Sequence, residues 1–182
     1  EKERRITAYH EAGHAILFHV LPDVGPVYSV SIIPTGGAGG YTMPLPEKDD
    51  MFNTKGHMLQ EITVSLGGRV AEEEIFDDIT TGASNDMEKA TKIARSMIAQ
   101  YGMSEKFGLM SLEQVENPYL GNRTTLNCSD KTATEIEEEV KILLKEKYEE
   151  AKKLLRNNRT KLDKIAKFLY EKETITGKEF MD

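Results

Sequence analysis

A short motif near the start of the sequence constrains this chain more than any other feature. The segment His10-Glu11-Ala12-Gly13-His14 places two histidines four residues apart, with a glutamate directly after the first. On an α-helix, residues four apart share a face, and their Cβ atoms are roughly 5–6 Å apart. Both imidazoles can therefore reach one zinc ion at Zn–N distances of about 2.0–2.1 Å. The spacing predicts a metal site on the first helix, with two of four tetrahedral positions filled.

Glu11 predicts that this site does chemistry. Being one position after His10, it is rotated away from the line of the metal ligands. It nevertheless stays close enough to take a proton from a water molecule on the ion. A purely structural zinc site has no need of such a base.

The third protein ligand has to come from elsewhere in the chain, and the residues leave two candidates. One is a glutamate, Glu72 or Glu73, near the end of the second predicted helix. The other is Asp86, which follows a turn containing Gly82 that can bring a helix start near the metal. Asp86 also has a simple structural alternative, because a carboxylate in the first turn of a helix is stabilised by the helix dipole. Glu72 could instead orient a ligating imidazole without binding the metal itself.

Apolar spacing predicts a chain that is mainly α with a small β element. Helices are expected over residues 2–21, 54–76, 87–101, 129–157 and 160–171, the last two forming a C-terminal helical hairpin. Pro22 stops the first helix. Paired glycines weaken a helix unless a neighbour packs closely, so Gly67-Gly68 is expected to cross the motif helix. Ser84 or Asn85 is expected to cap the third helix, and Asn85 would form a capping box with Glu88. Residues 102–127 are expected to be an irregular surface loop.

The β element follows the first helix. Residues 27–33 alternate apolar and polar side chains, which predicts a half-buried strand, and a glycine-rich turn over residues 36–40 leads to a second short strand. The strand around Gly40, Tyr41 and Thr42 could leave an open edge beside the zinc. An unfolded polypeptide could then bind as a further strand through backbone hydrogen bonds.

Composition excludes several other functions. The net charge of −7, without clustered Lys and Arg, argues against a nucleic-acid partner. No segment approaches the roughly 20 apolar residues that cross a bilayer. The single cysteine, Cys128, cannot form an internal disulfide, which indicates a reducing compartment. The composition indicates a soluble chain. Because it begins at Glu1 without an initiating Met, we expect a fragment of a longer protein.

Several segments together resemble a known family. They are the metal motif, Thr81-Gly82-Ala83-Ser84-Asn85-Asp86, Gly40-Tyr41-Thr42, Gly67-Gly68-Arg69-Val70-Ala71-Glu72-Glu73 and Tyr101-Gly102-Met103-Ser104. These segments occur along the chain in the order that the family has, and the sequence resembles the peptidase domain of FtsH, the membrane-anchored AAA+ zinc protease, and its mitochondrial relatives. His57 and Cys128 depart from what most relatives would carry, but neither touches the motif.

The resemblance implies a zinc endopeptidase. It implies one Zn²⁺ per chain held by His10, His14 and Asp86, with Glu11 as the catalytic base. Residues 1–182 would form one zinc metallopeptidase domain, divided into a catalytic head (1–127) and a helical hairpin (128–182). A non-catalytic helical oligomerisation domain with a structural zinc is the alternative, against which the intact Glu11 counts.

The resemblance also implies a larger assembly. An ATP-driven AAA+ module and transmembrane helices, both absent from this sequence, would precede the domain in a homo-hexamer that degrades unfolded or membrane proteins. The parent protein would lie in the inner or plasma membrane with this domain on the cytoplasmic side. In an organelle the domain would face the matrix, the intermembrane space or the stroma.

Overall fold

Helices make up most of the computed structural model, which describes residues 1–34, 39–44, 53–116, 123–126 and 128–181. The expected class, mainly α with a small β element and a C-terminal helical hairpin, is confirmed. In chain order the helices and strands are α1 (Lys2–Val20), β1 (Val27–Ser31), β2 (Tyr41–Pro44), α2 (Lys55–Phe76), α3 (Ser84–Arg95), β3 (Glu113–Glu116), β4 (Arg123–Leu126), α4 (Asp130–Asn157), α5 (Arg159–Lys172), β5 (Thr174–Thr176) and α6 (Gly177–Met181).

The long helices begin and end where the sequence provides local signals. The hydroxyl of Thr54 caps α2 by accepting the backbone N–H of His57, and Ser129 caps α4 through Thr132 N–H. α1 ends one residue before Leu21, which is extended and precedes Pro22. Such caps satisfy backbone donors that a helix start leaves free, which is why these boundaries could be predicted.

The motif helix α1 crosses α2 at glycines, as the paired glycines predicted. A Cβ atom on Gly13 would lie 2.6 Å from the Gly67 carbonyl oxygen, and one on Gly67 would lie 2.6 Å from Leu17 Cδ1. Side chains at either position would force the helices apart. The absence of side chains therefore sets the close approach that brings α2 residues to the histidines.

A three-stranded antiparallel sheet in the order β2-β1-β5 flanks α1. Val30 of β1 pairs with Thr42 on one side and with Ile175 on the other. The predicted pair β1 and β2 is present, whereas β5 was not predicted. A capping box begins α6, since the side chains of Thr176 and Glu179 each accept a hydrogen bond from the other's backbone N–H. Residues 36–38 of the predicted glycine turn lie outside the described part of the chain.

Two sequence predictions are corrected. The stretch over residues 102–127 is not wholly irregular, because β3 and β4 pair antiparallel within it. Neither Ser84 nor Asn85 caps α3, and no capping box forms with Glu88. The 3₁₀ turn Thr81–Ala83 runs directly into α3, so both residues are already inside the helix. The end of the predicted third helix is a π-helical turn, Ser96–Gln100.

Buried apolar side chains form two clusters that meet across α2. One joins α1, the sheet and α5, and the other joins α2, α3 and α4. Tyr148 packs against both clusters. No helix within the described ranges has the length and apolar character needed to span a membrane.

Candidate metal centre

The two motif histidines lie on the buried face of α1, where α2 and the start of α3 meet it. His10 Nε2 and His14 Nε2 are 3.2 Å apart. Asp86 Oδ2 lies 3.0 Å from the first and 3.1 Å from the second. Three potential ligand atoms from two separate parts of the chain therefore form a small triangle.

Hydrogen bonds on the opposite side of each ring decide which nitrogen faces this triangle. His14 Nδ1 lies 2.7 Å from the Val64 carbonyl oxygen, and His10 Nδ1 lies 2.8 Å from Glu72 Oε2. A carbonyl oxygen can only accept, so His14 carries a proton on Nδ1. Donation from His10 Nδ1 to the Glu72 carboxylate likewise leaves a lone pair on His10 Nε2 in the neutral ring. Partners of this kind fix the tautomer of metal-binding histidines.

The triangle fits a zinc ion. Two imidazole lone pairs and a carboxylate oxygen all act as acceptors, so their convergence requires a proton or a metal cation to be shared among them. In a tetrahedral site with bonds of about 2.0–2.1 Å, neighbouring ligand atoms are separated by about 3.3 Å. The observed separations of 3.0–3.2 Å approach that value. One nitrogen, nitrogen and oxygen face of a tetrahedron is thus in place.

The electrostatics of the cluster show how strongly it attracts positive charge. Burial would lower the pKa of His10, but hydrogen bonds to Asp86 and Glu72 raise it to about 10. Burial would raise the pKa of Asp86, yet hydrogen bonds from His10 and His14 hold it well below its usual range. The carboxylate therefore stays ionised at neutral pH, as a metal ligand must.

The structure separates the three acidic residues that the sequence left as candidates. Asp86, in the first turn of α3, contacts both Nε2 atoms. Glu72 contacts the far nitrogen of His10, and Glu73 points away to Tyr148. This is the arrangement expected if Asp86 is a ligand and Glu72 an orienting residue, although both roles stay predictions.

Sequence reasoning missed two contacts that support the histidines, and it indicated a third feature, Gly68, only as a close approach of two helices. Thr80 donates a hydrogen bond to Glu72 Oε1, and the Val64 carbonyl anchors His14. A Cβ atom on Gly68 would lie 2.4 Å from His10 Nε2, so only glycine leaves room for that ring. No sequence signal marks a backbone carbonyl such as that of Val64, whereas the position of Gly68 beside Gly67 did indicate a close helix contact.

Glu11 lies beside the triangle in a cleft of about 760 Å³, which it lines together with both histidines and Asp86. The predicted substrate residues Gly40, Tyr41 and Thr42 line the same cleft. Among the residues that the structure describes, β2, which carries Tyr41 and Thr42, is one of the two outer strands of its sheet. The structure thus brings the candidate base, the candidate ligands and an edge strand to one open site.

Comparison with known proteins finds one matching family model and several relatives. A family model described as Peptidase family M41 matches residues 1–182. The ATP-dependent zinc metalloprotease FtsH of Caldicellulosiruptor bescii is 49% identical over 183 residues, covering 99% of this chain and 30% of that protein. The protein of the same name from Clostridium perfringens is 50% identical over 182 residues, covering 100% of this chain and 25% of that protein. The protein of the same name from Thermotoga maritima is 48% identical over 182 residues, covering 98% of this chain and 30% of that protein.

Proposed function

The chain belongs to peptidase family M41, and from that premise we propose that it hydrolyses peptide bonds with one zinc ion held by His10, His14 and Asp86. The observation that carries the proposal is the convergence of two Nε2 atoms and Asp86 Oδ2 within 3.2 Å, beside Glu11 in an open cleft. Bound there, zinc would supply Lewis-acid chemistry, lowering the pKa of water and polarising a carbonyl.

Glu11 performs the proton transfers in this proposal. The Glu11 residue is only 6% exposed and lines the cleft. It takes a proton from the attacking water and passes it to the amine that leaves when the peptide bond breaks. A general base of this kind typically contributes about 10²–10⁴ to the rate.

The edge of β2 holds the substrate. An extended polypeptide would add to this outer strand through backbone hydrogen bonds along Gly40, Tyr41 and Thr42. Backbone pairing reads no particular side chain, so cleavage would show broad sequence preference. Such a substrate must be unfolded, because a folded protein does not present a free strand in a cleft.

The chain spans roughly 25–30% of the length of the curated relatives it matches. We propose that residues 1–182 form the zinc metallopeptidase domain of a longer protein, with the head at 1–127 and the hairpin at 128–182. The names of the relatives contain "ATP-dependent", which supports an ATP-driven AAA+ module that delivers unfolded or membrane proteins. A membrane-anchored homo-hexamer is the corresponding assembly.

Glu11→Gln tests the hydrolytic role. Glutamine keeps the size of glutamate but cannot accept the proton, so we predict unchanged zinc content and at least a 10²-fold loss of activity. Zinc is measured by elemental analysis and activity by cleavage of casein and of a short fluorogenic peptide. Both the zinc-loaded chain and the full-length protein that contains it are assayed.

Glu138→Gln is the matched control, because Glu138 is exposed on α4 and distant in sequence from the motif. It should change neither zinc content nor activity. Full activity in Glu11→Gln would overturn the mechanism, and loss of zinc in that variant would make Glu11 a ligand. If the unmodified protein binds zinc but cleaves neither substrate, the site is structural.

A further inference from the structure

We propose that the side-chain hydroxyl of Thr42 positions the carboxylate of Glu11 for proton transfer. Thr42 is thereby a positioning residue, in addition to any role of its backbone at the strand edge. The inference rests on the proposed function, because it assigns a partner to the proposed base.

The contact between the two side chains is direct. Thr42 Oγ1 lies 2.9 Å from Glu11 Oε1 and 3.1 Å from the Glu11 carbonyl oxygen. A hydroxyl has one proton to donate, and an ionised carboxylate is the stronger acceptor. Within the described residues, Thr42 is the one side chain that donates a hydrogen bond to this carboxylate.

The geometry of this bond suits a base. A glutamate side chain has three rotatable bonds, so an unrestrained carboxylate spends much of its time in orientations that do not face the attacking water. Occupation of Oε1 by Thr42 fixes the plane of the group and leaves Oε2 as the oxygen that accepts the proton. Correct placement of reacting groups contributes to the rate without tightening substrate binding.

The sheet holds Thr42 in place independently of Glu11. Thr42 pairs with Val30 of β1, which is itself held by β5 on its other side. Gly40 allows the approach, because a Cβ atom there would lie 2.7 Å from the Ser31 carbonyl oxygen and 3.2 Å from Glu11 Cγ. The strand proposed to receive the substrate therefore also sets the orientation of the base.

Thr42→Val tests the inference, since valine keeps the branched shape and loses the hydroxyl. We expect unchanged zinc content, a KM within about twofold of the unmodified value, and a kcat lower by roughly 10–100-fold, the range for a lost hydrogen bond to a charged group. Thr42→Ser should restore most of kcat because it restores the hydroxyl. Thr42→Ala removes the hydroxyl without adding a methyl group and should resemble Thr42→Val, which covers any misfit of valine.

Thr174→Val on β5 is the control, because it removes a threonine hydroxyl from the same sheet without touching Glu11. It should leave kcat unchanged. An unchanged kcat in Thr42→Val and Thr42→Ala, or a Thr42→Ser variant as slow as they are, would overturn the inference. A rise in KM alone would also overturn it, leaving Thr42 a substrate contact only. If Glu11→Gln is itself fully active, the proposed function fails first, and the two failures are thus distinguished.

Discussion

Single residues at the candidate metal centre act mainly through their hydrogen bonds to one another. The contact between Glu72 and His10 illustrates this. Glu72 is 1% exposed, and one of its carboxylate oxygens accepts a hydrogen bond from His10 while the other accepts one from Thr80. A buried carboxylate with both oxygens paired cannot shift easily. The His10 ring is thereby held with Nε2 toward Asp86.

Glu72→Ala should weaken zinc binding without removing a ligand. We predict one zinc per chain at saturation and an affinity lower by about 10–100-fold, the usual cost of losing a group that orients a metal ligand. The measurement is competition for zinc with a chromophoric chelator. Glu73→Ala, the neighbouring change, should bind as the unmodified chain does because Glu73 contacts Tyr148. Unchanged affinity in Glu72→Ala would contradict the orienting role, and loss of stoichiometric binding would make Glu72 a ligand.

Among the elements, the contact of α2 with α4 holds the helices around the candidate metal centre against the C-terminal helices. Tyr148 of α4 donates a hydrogen bond to Glu73 of α2, and Lys152 lies 3.4 Å from the same carboxylate. The hydrogen bond from Tyr148, assisted by Lys152, lowers the pKa of Glu73 below its ordinary value of 4.5. Because the folded pKa is depressed, this stabilisation is present above the unfolded-state pKa and is lost as pH falls through the folded one.

Tyr148→Phe should therefore lower the free energy of unfolding in a pH-dependent way. We predict a loss of about 0.5–1 kcal/mol at pH 7, in the lower part of the range for one hydrogen bond because Glu73 is partly exposed. The difference between the variant and the unmodified chain should shrink below the unfolded-state pKa of Glu73, where the carboxylate becomes protonated. Urea unfolding at several pH values measures this. A difference that is constant with pH would mean that Tyr148 acts through packing alone.

At the scale of the whole molecule, the sequence predicted what local patterns control. The helices α1, α2, α4 and α5 follow from apolar spacing and from caps such as Thr54 and Ser129. β5 could not be predicted because a three-residue strand exists only through its pairing with β1. The predicted start of α3, at residue 87, was wrong, since the helix begins at Ser84. The 3₁₀ turn before it has no distinct apolar pattern from which the sequence could have located this start.

At the candidate site, too, the sequence predicted the local features and not those that depend on the packing of distant elements. The spacing of His10 and His14 on one helix is local, and the sequence therefore predicted that the two rings face one point. The approach of Asp86 and of the Val64 carbonyl depends on how α2 and α3 pack against α1. Residue types alone left Asp86 and the glutamates as alternatives, and the family resemblance, not the spacing, selected Asp86.

Zinc stoichiometry of Asp86→Ala, measured by native mass spectrometry, tests the central claim most directly. The unmodified chain should carry one zinc ion. Asp86→Ala should carry none at a zinc concentration that saturates the unmodified chain, because only two of the three converging ligand atoms remain. An Asp86→Ala chain that binds one zinc ion as tightly as the unmodified chain would contradict the proposed metal centre.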